Sequence, residues 1–226
     1  MLWLALVLIA VKTNAAKQES NATIPALIVF GDSIMDTGNN NGLHTILKCN
    51  FPPYGKDFPG GYATGRFSDG RVPSDLIAEK LGLTKTLPAY MSPDLKPEDL
   101  LQGVTFASGG TGYDPLTAKM MQLSSYELSP ALDSLDKELD GVIFYINVYD
   151  TLLDIIQNPE KYGFEVADRG CCGKGTVAIS YLCNSLNPFT CSNSSAYVFW
   201  DSYHPTERAY QVIVDKLLDK YLSKIY

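Results

Sequence analysis

Short apolar runs that end in polar or glycine-rich residues alternate along this chain with stretches whose apolar residues recur every three or four positions. Ala26, Leu27, Ile28 and Val29 form one such run. It has no helical period, so it reads as a buried parallel strand. Gly103 to Ala107 and Gly141 to Ile146 read in the same way, and Tyr197 to Trp200 is a fourth strand-like run. Helices are predicted between them. From Val72 to Leu81, Pro73 suits the first turn, Leu76, Ile77 and Leu81 share a face, and Gly82 ends the helix. Residues 115–129 and 131–139 carry helical patterns, and the pattern over 148–156 is stopped by Asn158-Pro159. In the last helix, from Glu207 to Leu222, Tyr210, Val214, Leu217 and Tyr221 repeat at the spacing that covers a sheet. Strands alternating with helices imply an α/β protein with a parallel sheet and helices on both faces. No internal repeat or linker interrupts the pattern.

The chain has 226 residues, 46% of them hydrophobic, which suffices for a sizeable core. Leu2 to Val11 is an uninterrupted apolar run followed by small and polar residues up to Lys17. The run is too short to span a bilayer and suits the core of a cleaved leader, so residues 1–16 are expected to be a signal peptide and 17–226 a single domain. No later segment is apolar enough for a membrane helix. Two acceptor triplets for N-glycosylation, at Asn21 and Asn193, fit a secreted chain. Cys171, Cys172, Cys183 and Cys191 crowd near the C-terminus without metal-site spacing or a nearby histidine, so two disulfides are expected among them, with Cys49 left over. A net charge of −7 with no basic stripe argues against a nucleic-acid partner.

Candidate chemistry sits at two strand ends. The first strand opens into Phe30-Gly31-Asp32-Ser33-Ile34-Met35-Asp36-Thr37-Gly38-Asn39-Asn40. This puts Ser33 at the carboxyl end of a central strand, where open α/β sheets place ligands. Asp32, Ser33 and Thr37 suit the start of a helix, which would aim the Ser33 N–H outward; the same residues also suit an ordinary glycine turn with a serine cap. The other end is Asp201-Ser202-Tyr203-His204-Pro205, after the Tyr197 run. The chain has only two histidines, His44 and His204, so a Ser–His couple has two candidates. Ser108-Gly109-Gly110-Thr111-Gly112 is a glycine-rich strand end that can aim N–H groups at an oxyanion or serve simply as a turn. The Gly-, Pro- and aromatic-rich stretch from Asn50 to Gly70 reads as a long ordered loop, in which Arg66 suits either a ligand contact or a structural ion pair. A metal site built on His44 and Asp36 has too few ligands.

Gly31-Asp32-Ser33 near the start and Asp201-x-x-His204 near the end resemble the plant GDSL esterase/lipase family, a branch of the SGNH hydrolases, and the long Asn50 loop carries the longest continuous likeness. The resemblance implies a flavodoxin-like three-layer sandwich and a Ser33–His204–Asp201 triad acting on carboxylic esters. It further implies an oxyanion hole from the N–H groups of Ser33 and Gly110, with Gly109 as an alternative, and no cofactor or metal. One family block is missing. Between the second strand and Gly141 the family carries a Gly-x-Asn-Asp block whose Asn supplies a third oxyanion donor, whereas here the likeness breaks near residues 130–131. Asn147 belongs to the following strand end and does not replace it. The sheet is therefore expected to lack a central strand and helix. Two readings follow: a secreted esterase with impaired activity, or a noncatalytic secreted remnant that binds lipid or cell-wall material.

Overall fold

The computed structural model describes residues 7–11, 24, 26–111, 141–145, 148–173, 178–186 and 189–225. The helices predicted over 115–129 and 131–139, together with Asn21 and Asn147, lie outside them. Within the described residues the chain is an α/β protein. Strands β1 (Val7–Val11), β2 (Leu27–Phe30), β3 (Gly103–Thr105) and β4 (Gly141–Tyr145) form one sheet in the order β3-β2-β1-β4. Strands β2 and β3 pair in parallel, Leu27 opposite Gly103 and Val29 opposite Thr105. Strand β1 runs antiparallel to both neighbours, with Val7 opposite Phe30 on one side and Tyr145 on the other.

Strands β2 and β4 thus point the same way, as a parallel sheet requires, and an antiparallel strand from the predicted leader stands between them. The physical reason is edge satisfaction: two strand edges present unpaired N–H and C=O groups, and any extended apolar run that pairs with both removes that cost. Removal of residues 1–16 would reopen this place in the sheet.

Helix α1 (Pro73–Lys80) follows the predicted bounds closely. Pro73 occupies the first turn, and the Val72 N–H donates to Asp75 Oδ2 at 3.1 Å. Helix α2 (Tyr149–Gln157) stops at Asn158, and a 3-10 turn over Pro159–Tyr162 follows. Helix α3 (Glu207–Ile225) begins where its Glu207 N–H donates to Asp69 Oδ1 at 2.8 Å, so a residue of the long loop caps it. Leu76 and Ile77 of α1 and Tyr210, Ile213 and Val214 of α3 are buried with Leu27 and Val29 of β2 in the main core. The predicted face of α3 is the observed one at Tyr210, Val214 and Leu217.

Strand β5 (Val166–Gly170) pairs in parallel with β6 (Tyr197–Phe199) in a second small sheet. Nothing in the polar Val166-Ala167-Asp168-Arg169-Gly170 pattern announces a strand, because half of its side chains meet solvent. A second core holds Cys49, Tyr54, Phe67 and Trp200 together with the bridges Cys171–Cys191 and Cys172–Cys183. Cys49 is free and buried. Two disulfides within the four C-terminal cysteines is what the sequence predicts.

The Asn50 to Gly70 loop is ordered by its own aromatic residues, Tyr54, Phe58 and Phe67 all being buried. Arg66 takes the structural course: Nε and Nη2 grip Asp75 at 2.7 and 2.6 Å, and Nη1 donates to the Thr37 carbonyl at 3.1 Å. This buried bidentate pair ties the loop to α1 and to the Ser33 segment.

Candidate active site

Ser33 follows β2 in a tight turn, not the helix start that Asp32, Ser33 and Thr37 predict. The Met35 N–H donates to the Asp32 carbonyl at 3.1 Å and the Ile34 N–H to Asp32 Oδ1 at 3.0 Å. A helix does not form because Asp36 draws the chain aside. Its buried carboxylate accepts from Gly38 and Asn39 N–H at 2.7 Å each, and a 3-10 turn over Asn39–Gly42 follows. Asp36 is thus a backbone anchor. His44 is exposed, and no group of His, Cys, Asp and Glu among the described residues is arranged to hold a metal ion.

His204 is the histidine that meets Ser33. Its Nε2 lies 2.8 Å from Ser33 Oγ, and its Nδ1 lies 2.8 Å from Asp201 Oδ2. Because a carboxylate oxygen only accepts, Nδ1 carries the proton and Nε2 is left to accept from Ser33 Oγ–H. Local geometry lets the two residues work three positions apart: Asp201 Oδ1 accepts the N–H groups of Tyr203 at 2.8 Å and His204 at 2.7 Å, which folds the segment back on itself. Gly170 of β5 admits that turn, since a Cβ there would lie 2.5 Å from the Asp201 carbonyl oxygen. All three side chains are buried, Ser33 at 6% exposure, His204 at 2% and Asp201 at 0%.

Tyr54, from the long loop, was not singled out by the sequence as a site residue. Its hydroxyl donates to Asp201 Oδ2 at 2.7 Å and accepts the Ser180 N–H at 2.9 Å. Ser180 has φ of +50°, unusual for a residue with a side chain. The disulfide-closed loop is thereby joined to the back of the site. Asp32 also faces His204, and burial raises its carboxyl above the ordinary range.

The glycine turn after β3 is held against the Ser33 loop. Ser108 N–H donates to the Gly31 carbonyl at 3.2 Å, Gly109 N–H to Asp36 Oδ2 at 2.9 Å, and Asn40 Nδ2 to the Gly109 carbonyl at 2.7 Å. The Gly109 N–H is therefore engaged by Asp36. Asn39 braces the strand below by donating to the Thr105 and Ala107 carbonyls at 2.9 and 2.7 Å. Burial pushes Asp36 up to about 6, opposed by its bonds to Gly38, Gly109 and Asn39. A cleft of about 720 Å³ opens nearby, lined by Thr37, Gly38, Phe58, Tyr62 and Met91 among others; neither Ser33 nor His204 lines it. Asn193 is exposed, and its Oδ1 accepts the Ser195 N–H at 3.1 Å.

The chain is an α/β protein with a serine after a strand of one sheet and an Asp-x-x-His segment after a strand of the other, and its relatives are of the hydrolase class. The chain belongs to the GDSL-like Lipase/Acylhydrolase family, whose sequence profile matches residues 27–138. It is 55% identical over 345 aligned positions to GDSL esterase/lipase At1g59030 of Arabidopsis thaliana, covering 100% of this chain and 99% of the relative. GDSL esterase/lipase At3g43570 of the same plant is 57% identical over 316 positions, with 100% and 99% covered. GDSL esterase/lipase At3g14820 is 41% identical over 339 positions, with 98% and 96% covered. An alignment of 345 positions against a chain of 226 residues means that the relative carries a long internal stretch with no counterpart here.

Proposed function

We propose that the protein is a secreted serine esterase that hydrolyses carboxylic esters by acyl transfer through Ser33. The observation that carries this reading is the continuous chain of contacts from Ser33 Oγ to His204 Nε2 and from His204 Nδ1 to Asp201 Oδ2, 2.8 Å at each step. Ser33 Oγ attacks the ester carbonyl while His204 Nε2 takes its proton. His204 then returns that proton to the leaving alcohol, and water repeats the sequence in reverse to free the acid. Asp201 keeps the imidazole in the tautomer that accepts from Ser33 and faces the imidazolium when it forms. The N–H groups of Ser33 and Gly110 are the oxyanion donors. None of these steps calls on a metal or an organic cofactor.

Secretion is supported by the apolar leader pattern, by two disulfides and by the exposed Asn193 acceptor triplet. Among the described residues no helix is long and apolar enough to cross a membrane. The internal stretch that the relatives carry favours a second reading, a noncatalytic protein of the same fold that binds lipid or cell-wall material. Hydrolysis of a short-chain chromogenic ester by the purified protein and by Ser33→Ala separates the two. Turnover abolished by the substitution is expected; turnover equal in both would remove Ser33 as nucleophile, and no turnover in either would favour the binding protein.

A further inference from the structure

We infer that Asn40 is a positioning residue for the oxyanion donor, acting by fixing the direction of the Gly109–Gly110 peptide. The inference rests on the reading of Ser33 as nucleophile and Gly110 N–H as donor. Asn40 is buried, at 1% exposure, and every contact of its amide has one sensible assignment. Nδ2 lies 2.8 Å from the Leu47 carbonyl and 2.7 Å from the Gly109 carbonyl, and Oδ1 accepts the Ser108 hydroxyl at 2.7 Å. Carbonyl oxygens only accept, so the NH₂ group must face them.

The consequence follows from peptide geometry. A trans peptide is planar, and its C=O and following N–H point in opposite directions. By holding the Gly109 oxygen, Asn40 sets the Gly110 N–H to point away from its own amide. Asp36 holds the other side of the same residue through the Gly109 N–H at 2.9 Å. Gly109 packs closely against Phe67 and Asn40, leaving no space for a side chain there. Gly110 has φ of +74°, a conformation that glycine adopts without strain and side-chain-bearing residues rarely do. Asn40 and Asp36 belong to the loop that carries Ser33. Nucleophile and donor are therefore registered to each other through one short segment, and an error in either would be shared by both.

The test is the rate at which a fluorophosphonate modifies Ser33. In that reaction Oγ bonds to phosphorus, fluoride leaves, the proton passes to His204, and the phosphoryl oxygen takes the oxyanion position. Saturation kinetics separate the maximal rate from the half-saturating concentration, and the labelled fraction reports how much protein is folded. Asn40→Asp keeps the shape, removes the two donors, and is expected to lower the maximal rate by about 10²-fold, the usual cost of an oxyanion donor. The half-saturating concentration should stay within about twofold. A merely structural role would lower the labelled fraction and leave the rate of the folded part alone. Ser108→Ala, which frees only Asn40 Oδ1, should give a smaller fall in rate and carries the test if Asn40→Asp does not fold. An unchanged maximal rate in the folded variant would overturn the role of Asn40 while leaving Ser33 in place; failure of the wild-type protein to label at Ser33 would overturn both.

Discussion

At the residue scale, Asp201 is built to hold one orientation. Its two oxygens receive His204 Nδ1, Tyr54 O–H and two backbone N–H groups, all between 2.7 and 2.8 Å. Tyr54→Phe removes one of these donors and strips the buried Ser180 N–H of its acceptor. A buried amide left unpaired costs about 1–3 kcal/mol, so the urea midpoint should fall accordingly and turnover should fall with it. An unchanged midpoint would mean that Ser180 finds another partner. Asp36 brings a pH effect. Burial raises its carboxyl to about 6, above its value in an unfolded chain, so the folded state holds that proton more tightly. The stability it contributes is full below about pH 4, declines as pH rises toward about 6, and is flat above that. Two units of difference correspond to at most about 3 kcal/mol. Asp69, also raised to about 6 by burial, acts in the same direction. Thermal melting from pH 4 to pH 7 should therefore show a shallower decline for Asp36→Asn than for the wild type, and parallel curves would refute the assignment.

At the scale of elements, the site depends on loops more than on strands. The loop carrying Tyr54 is tied to α1 by Arg66–Asp75 and caps α3 through Asp69. The loop carrying Ser180 is closed by Cys172–Cys183, a separation of 11 residues. Closing a loop of that size stabilises by about 3 kcal/mol in the chain-entropy account. The double variant Cys172→Ser, Cys183→Ser should lose about that much in urea unfolding. It should also lose turnover earlier in the titration than global fluorescence, because Ser180 sits three positions before Cys183 and is the partner of Tyr54. Coincident loss of the two signals would show that the loop does not act separately. Thiol counting on the denatured wild type should find a single group, Cys49.

At the scale of the whole molecule, the relatives' internal stretch is the dominant difference. In this chain an antiparallel strand from the N-terminal run stands between β2 and β4. Phe30, at the end of β2, remains 37% exposed while stacking on Phe106 at 5.3 Å. If the missing stretch carries the Asn donor, as the family resemblance implies, its loss removes one oxyanion contact and with it about 10²–10³-fold in rate. Inserting a family-like middle section between Pro130 and Ala131 should raise ester turnover by that order on folded, monodisperse protein checked by circular dichroism. Equal turnover would mean that another donor in this chain does the work of the missing Asn.

The chain by itself determines the α/β alternation, because burial of a strand and one-sided burial of a helix leave different apolar periods in the sequence. The bounds of α1 and α3 and the position of Ser33 at a strand end are legible because each depends on neighbours a few residues away, whereas Asp201 and His204 are singled out by the family resemblance. What the tertiary structure decided lies at long range. Tyr54 meets Asp201 across 147 residues, Asp36 meets Gly109 across 73, and Asn40 meets Gly109 across 69. No local pattern distinguishes these side chains from other loop residues. The turn in place of a helix after Ser33 has the same origin, since Asp36 satisfies its own loop and the distant glycine turn at once. The place of Val7–Val11 in the sheet is likewise a tertiary outcome: an apolar run states that it will leave water, and only the two open strand edges state where it will go.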